Sequence, residues 1–287
     1  MPGCLLDHKS IPATCLLTVF LTLGAVGQTL QKSGGTLVVA VPVSEGVVVC
    51  SDKRLYNETT GKFRDDYVKI HRVGDKALFV ATHTTGFLNK TSGKMEFDIF
   101  DVTQHFVSQN GFATTREYWN SLRNEIRKKL SVYLSKQRYS NLPETDAANN
   151  RLLFNLVFFA ADRSTVNDYS LSVFYEKAQT PIIDVGTVVT ETVRTPKLLG
   201  KGKEVMLLLA SDPSLSRNPS IQKFDQSVFS IQKTSVRDAV EFASRLINLT
   251  STNLPEAEVS ASYDCALLSF TDRFSWLDES GRSTSAK

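Results

Sequence analysis

Two valine-rich runs near the start of the chain constrain its fold more than any other feature. Gly35 to Val43 and Gly46 to Ser51 are apolar and β-branched, and a short link through Ser44 and Glu45 joins them. Branched side chains suit a pleated surface, and a short glycine-containing link can reverse the chain, so the pair reads as a β-hairpin. Asn57-Glu58-Thr59-Thr60-Gly61-Lys62 is polar and reads as a loop. Tyr67 to Arg72 and Lys76 to Thr82 read as a second strand pair around Gly74-Asp75. Strands joined this closely begin an antiparallel sheet.

Helical periodicity follows. Phe97, Phe100, Val102, Phe106 and Val107 predict an amphipathic helix ending near Asn110-Gly111. Trp119, Leu122, Ile126, Leu130 and Tyr133 recur by three or four, with Arg123, Arg127 and Lys128 on the other side. Thr114-Thr115 supply a cap for this second helix, and Glu117 lies where the helix dipole favours a carboxylate. Asn141 to Asn150 reads as loop. Strands resume at Leu152 to Ala161, Leu171 to Tyr175 and Val185 to Val193, with turns at Asp162-Arg163-Ser164 and Lys177 to Pro181. Helices are expected over Lys203 to Ala210 and from Val236 to Asn248, the latter behind a capping box at Ser235 and Asp238. Cys265 to Phe270 is a last strand, and the polar residues from Asp278 read as a mobile tail.

The order is ββββ-αα-βββ-αα-β. Strand blocks separated by helix pairs predict an α+β fold with two antiparallel sheets face to face and helices outside. A doubly wound parallel sheet would alternate strand with helix. No repeat period and no shift in composition marks a second domain.

Composition narrows function by exclusion. Of the 287 residues, 41% are apolar and 22% charged, which excludes wholesale disorder. The formal charge of +3 is small, and no basic block would track a phosphate backbone, so nucleic acid is not an expected partner. Residues 1–27 have the layout of a signal peptide: a polar start with His8 and Lys9, an apolar stretch from Cys15, and a small-residue exit at Ala25 and Gly27. The stretch is short for a membrane span, so no stable span is expected after its removal. The expected location is secreted or periplasmic. Of four cysteines, Cys50 and Cys265 lie beyond the leader, both in strand-like runs. They read as buried thiols, or as one bridge if their strands are neighbours. The four histidines are scattered and no cysteine–histidine cluster exists, so no metal or other cofactor is expected.

Thr36, Asp52 and Lys69 draw notice together. Singly, a strand threonine, a charged strand end and a strand lysine are ordinary. Yet Gly35-Thr36-Leu37-Val38-Val39, then Glu45-Gly46-Val47-Val48-Val49-Cys50-Ser51-Asp52-Lys53-Arg54, then Val68-Lys69-Ile70, resembles the start of a 20S proteasome subunit. More broadly it is similar to the N-terminal nucleophile (Ntn) hydrolases. Phe158-Phe159-Ala160-Ala161-Asp162 and Gly200-Lys201-Gly202 resemble later segments of the family.

The resemblance implies a four-layer αββα sandwich and a threonine-type amide hydrolase, a peptidase acting on peptide or amide substrates. It implies Thr36 as nucleophile, Asp52 and Lys69 as its catalytic partners, and Gly35 as the residue before a self-cleaved bond. It places the backbone N–H of His83 at the oxyanion, and Leu55, Tyr67, His71 and Ala81 along the substrate pocket. It divides the chain into the leader, a short propeptide-like segment over 28–35, the hydrolase domain over 36–273 and a flexible tail over 274–287. Relatives assemble as rings, so a homo-oligomer is implied. The pattern departs at His83, where the family has glycine, at Lys201, where it has serine, and over Asn248 to Tyr263, where its Asp-x-x-Ser is not found. Two alternatives remain: a catalytically silent relative serving as a binding or assembly module, and an unrelated β-rich secreted binding protein.

The chemistry implied is coherent. A threonine hydroxyl needs a base to take its proton. An N-terminal residue carries one, its α-amine, with a reference pKa of about 7.7–8. A neighbouring ammonium would lower that value further.

Overall fold

The computed structural model describes residues 29–32, 36–57, 62–88, 95–135, 150–176, 182–186, 188–225, 228–271 and 274–284. The leader over 1–27, Gly35, the turn over 177–181 and most of the loop over 141–150 lie outside the described residues. The first elements are β1 (Thr29–Lys32), β2 (Leu37–Val43), β3 (Gly46–Asp52), β4 (Leu55–Asn57), β5 (Lys62–Arg64), β6 (Ile70–Val73), β7 (Ala77–Leu88) and β8 (Met95–Asp98). Helices α1 (Ile99–Asn110) and α2 (Arg116–Ser135) precede β9 (Asn150–Asp162), β10 (Thr165–Glu176), β11 (Ile182–Val185), β12 (Val189–Thr192) and β13 (Lys197–Gly200). Then come α3 (Gly202–Ser211), α4 (Pro213–Ser216), α5 (Pro219–Gln222), α6 (Val236–Asn253), β14 (Tyr263–Ser269), β15 (Phe274–Leu277) and β16 (Ser283–Thr284).

This is a mixed fold of antiparallel sheets and helices. One sheet has the order β1-β7-β9-β10-β11, with β6 and β8 also on β7 and β12 also on β10. The other runs β13-β2-β3-β14-β15-β16, and β4 pairs β5 alone. Every residue of β2 and β3 is buried, which explains why both runs are continuously apolar. Alternate side chains leave a strand on opposite faces, and each face here meets a different layer. Val39, Val41, Val48 and Cys50 pack with Val240, Ala243 and Leu246 of α6. Val38, Ala40, Val47 and Val49 pack instead with Leu78, Val80, Val157 and Phe159 of the larger sheet. The other face of that sheet, through Phe79, Phe87 and Phe158, packs with Phe100 of α1 and with Trp119, Leu122 and Ile126 of α2.

The cap expected for α2 forms, but Phe97, expected on the first helix, lies on β8, because the chain pairs with β7 as far as Asp98 and the helix starts only behind that cap. Thr115 Oγ1 accepts from Tyr118 N at 3.2 Å, and Asp98 accepts from Phe100 N at 2.8 Å to cap α1. Both halves of the Ser235–Asp238 capping box form. Among the described residues, no helix is long and apolar enough to cross a membrane.

Several expectations need correction. β7 continues past Thr82 to Leu88 because its later residues find new partners, Gly86 pairing both Gln31 of β1 and Asp98 of β8. Of the loop expected over Asn57 to Lys62, the two ends are strand, Asn57 opposite Lys62, and residues 58–61 lie outside the described residues. The strand expected over Val185 to Val193 is two strands, both paired to β10. β13 was unmarked, since Lys-Leu-Leu-Gly is too short to show a period. The segment from 274 carries β15 and β16 instead of a wholly flexible tail: Phe274 and Trp276 pack on the cluster between the sheets, and Leu277 is buried. Cys50 and Cys265 face each other on β3 and β14 and form a disulfide, with Cα atoms 4.1 Å apart.

Candidate active site

β2 and β3 are antiparallel, with Val38 opposite Ser51, so the entry to β2 lies beside the exit of β3. Thr36 stands at that entry and Asp52 at that exit. The residue before β6, Lys69, completes the cluster. Lys69 Nζ donates to Thr36 Oγ1 at 3.0 Å and to both Asp52 carboxylate oxygens at 3.1 Å. All three residues are at most 2% exposed.

Asp52 is held by backbone as well. Its Oδ1 accepts from Leu37 N at 2.9 Å and its Oδ2 from Arg54 N at 3.0 Å, with Ser260 N at 3.5 Å. A carboxylate with this many donors is fixed in place. Thr36 is fixed from the other side, where its carbonyl accepts from Lys201 N at 2.9 Å. That approach needs Gly200: its φ is +68°, and a Cβ there would lie 1.9 Å from the Thr36 carbonyl oxygen. The strand order serves the same contact, since β13 pairs β2 with Gly200 opposite Leu37.

Burial acts on both members of the ion pair. It pushes the Asp52 carboxyl up, against the pull of Lys69 and the Leu37 and Arg54 N–H groups. It pushes the Lys69 ammonium down, against the pull of Asp52. A lysine so placed exchanges a proton more readily than a solvated one, and its ammonium form stabilises negative charge on Thr36 Oγ1.

The remaining sequence-expected residues are distributed as follows. Leu55 is buried at the start of β4. Ala81 is buried among the aromatic residues beneath α1 and α2, and half-buried Tyr67 packs on the same cluster, 5.9 Å from the Phe100 ring. His71 stacks on Phe100 at 4.2 Å and on Phe79 at 5.2 Å, and its Nε2 is buried with no hydrogen-bond partner. Desolvation lowers its pKa to about 4. Tyr67, His71 and Ala81 are therefore brought together, and Leu55 is outside their cluster. His83 lies on β7 opposite Phe154. The side chain of the preceding residue, Thr82, lies near Gly200.

Sequence reasoning missed the backbone clamp made by Leu37, Gly200 and Lys201. The Gly200-Lys201-Gly202 motif was its one visible sign. It also missed Arg54, whose guanidinium forms a two-pronged pair with Asp65 at 2.8 and 2.9 Å and stands 4.9 Å from the Phe63 ring. Arg54 Nη1 also donates to Val259 O at 3.4 Å, linking β4–β5 to the segment after α6. Among the described residues, no group of His, Cys, Asp and Glu could hold a metal ion.

No protein-family model matches the sequence, and no curated protein matches it. A solved structure of an Anbu (Gly-1) mutant from Hyphomicrobium sp. strain MC1 is similar over 88% of this chain and 86% of that one, at 12% identity and a TM-score of 0.45.

Proposed function

We propose that this chain is a threonine-type N-terminal nucleophile hydrolase of proteasome-like kind, made as a precursor and activated by cleavage before Thr36. The observation that carries this reading is the buried hydrogen-bonded cluster of Thr36 Oγ1, Lys69 Nζ and Asp52. The three apolar clusters support an αββα layering for the domain over 36–273, one between the sheets and one under each set of helices.

In the precursor, Thr36 N is an amide and cannot act as a base. Once it is freed, the Thr36 hydroxyl passes its proton to the α-amine as Oγ1 bonds to the substrate carbonyl carbon. Lys69 lowers the basicity of that amine and stabilises charge at Oγ1, while Asp52 keeps Lys69 in place. The His83 N–H is the proposed donor to the carbonyl oxygen. Collapse breaks the C–N bond, and the departing amine takes the proton from the α-ammonium. Water then attacks the ester with the α-amine as base, and Oγ1 regains its proton as the acid leaves.

The pairing of β1 on β7, from Thr29 opposite Leu88 to Lys32 opposite Thr84, supports a role for residues 28–35 as a propeptide. It holds residues 29–32 extended along β7, as a peptide substrate would lie. The disulfide between Cys50 and Cys265 supports a secreted or periplasmic location, because such bonds persist in oxidising compartments. Assembly into a ring belongs to the same proposal.

Intact-mass measurement of the exported protein tests it, together with hydrolysis of small fluorogenic peptides. The expected mature chain begins at Thr36, and Thr36→Ala retains residues 28–35 and loses hydrolysis. Full hydrolysis by Thr36→Ala overturns the nucleophile assignment. A wild-type chain that keeps residues 28–35 and hydrolyses nothing assigns the silent-module alternative.

A further inference from the structure

The chain crosses from one sheet to the other between β12 and β13, and the crossing leads to the clamp on Thr36. Val193 N donates to Val166 O at 2.8 Å, the last backbone bond to the larger sheet, and Lys197 then opens β13 in the smaller one. β13 is four residues long, lies at the edge of its sheet and pairs only β2 among the described residues. Yet it ends at Gly200, and the next N–H, that of Lys201, binds the Thr36 carbonyl. A short edge strand with one neighbour opens easily, so by itself it is a weak platform for a nucleophile.

An ion pair across the sandwich supplies what the ladder lacks. Leu198 packs on the α6 side and Leu199 between the sheets, so alternation puts Lys197 on the inner face with Leu199. On β10, Val166 packs between the sheets while Tyr169 and Leu171 pack under the helices, which puts Asp168 on the inner face too. Lys197 Nζ donates to Asp168 Oδ2 at 2.8 Å and to the Glu191 carboxylate of β12. Asp168 and Glu191 are directly opposite on their two strands, and like charges so placed repel. Asp168 is also buried, and its Oδ1 has no hydrogen-bond partner among the described residues. Two facing carboxylates, one of them buried, are tolerated there because a single ammonium joins both. That ammonium is held to the larger sheet at two points, while its backbone belongs to the smaller sheet.

We propose that Lys197, seated between Asp168 and Glu191, is a positioning residue for Thr36. It pins β13 to the larger sheet and so sets where Gly200 and Lys201 meet the Thr36 carbonyl. Lys197 touches no reacting atom and acts through the backbone of β13. Its part in catalysis rests on the hydrolase reading, whereas the pin itself does not. Two readouts on the full-length protein test it: amide exchange at Lys201, taken relative to amides at the centre of β3, and hydrolysis of fluorogenic peptides over a substrate series. Lys197→Met keeps the aliphatic stem and removes the charge. It should speed Lys201 exchange about 10-fold or more relative to β3. It should lower kcat by about 10- to 100-fold with KM unchanged, the mark of a displaced nucleophile and not of lost binding. Lys197→Glu should do more. Lys197→Glu with Asp168→Lys should recover most of both losses, since the relocated ammonium again lies between two carboxylates. Ser235→Ala, far from the pin, should lower the urea midpoint and leave the exchange ratio and kcat as in the wild type. Should Lys197→Met fail to fold, Asp168→Asn keeps the shape, loses the buried charge and should give the same two shifts at smaller size. Unmoved Lys201 exchange in a folded variant overturns the pin, and so does a shift that Ser235→Ala reproduces or that the reversed pair fails to recover. Faster exchange with kcat unchanged overturns its part in catalysis. A wild type without hydrolysis overturns the hydrolase reading and that part with it, and exchange at Lys201 still decides the pin.

Discussion

Lys69 and His71 are two residues apart, Lys69 buried and His71 half-buried with its Nε2 buried, and the molecule treats them in opposite ways. Lys69 is surrounded by partners: Thr36 Oγ1 and both oxygens of Asp52, which is itself braced by the Leu37 and Arg54 N–H groups. His71 has ring faces for neighbours, a single backbone hydrogen bond with Val68, and an Nε2 with no hydrogen bond. A buried charge survives only when paired and hydrogen-bonded, so the Lys69 region keeps an ion pair at the cost of satisfying every donor around it. A buried imidazole escapes that demand by staying neutral, and the His71 region accordingly looks like core. One buries an ion pair among hydrogen-bond partners and the other packs a weak base among rings.

Removing the carboxylate should give the largest effect. Asp52→Ala leaves the Lys69 ammonium buried without its counter-ion and strips the Leu37 and Arg54 N–H groups of their acceptor. The expected cost is about 3–5 kcal/mol, read as a lower urea midpoint at neutral pH. Lys69→Met removes the other partner but leaves the carboxylate its backbone donors, and should cost roughly 1.5–3 kcal/mol. Equal losses would mean that the backbone donors contribute nothing. The asymmetry between the two regions would then need another cause.

The His71 region predicts a pH dependence of definite sign. Its folded pKa lies near 4, below the ordinary 6.5, so the folded state resists a proton that the unfolded chain accepts. Stability from this residue is full above about 6.5 and declines as pH falls to about 4, by up to ~3 kcal/mol. Asp98, the cap of α1, works against it: desolvation raises its pKa to about 6, so its protonation favours the folded state as pH falls below that value. The two oppose in the wild type, and comparison with His71→Phe separates them. Urea titrations from pH 4 to 7 should show the variant gaining on the wild type at the acid end. Parallel curves would refute burial of a neutral imidazole.

What could be read from the sequence follows the same division between local and distant contacts. β2 and β3 are evident because burial on both faces leaves no polar position to confuse the pattern. Thr36 and Asp52 belong to that one hairpin, so their proximity is a matter of counting across a short link. Lys69 reaches them through tertiary packing, and only the family resemblance pointed to it. The clamp on the Thr36 carbonyl arrives from β13 and Lys201, far along the chain, through a backbone N–H that carries no residue signature. The disulfide was one of two readings because its cysteines are 215 residues apart and no local pattern sets the β3–β14 register. β15 carries no clear signal for a related reason: Phe274 and Trp276 look like isolated aromatics in a polar end until the cluster they complete is known.

The smallest prediction calibrates the other two. Ser235 caps α6 through Asp238 N at 3.1 Å, and Asp238 returns a bond to Ser235 N, so the capping box secures the helix that covers the outer face of β2 and β3. Ser235→Ala should cost about 1 kcal/mol, the ordinary value of an N-cap. It touches neither the Lys69 cluster nor the aromatic rings on His71. Its loss should therefore be constant from about pH 5.5 to 7 and shrink only below that, where Asp238, held low by the Ser235 hydroxyl, begins to take up its proton. It should also be additive with Lys69→Met, since distant sites that share no partner combine within about 0.5 kcal/mol. A capping variant whose effect grew at acid pH, or that deepened the Lys69→Met loss beyond the sum, would show that α6 communicates with one of the two regions. The contrast between them would then be a property of the whole outer layer rather than of their immediate neighbours.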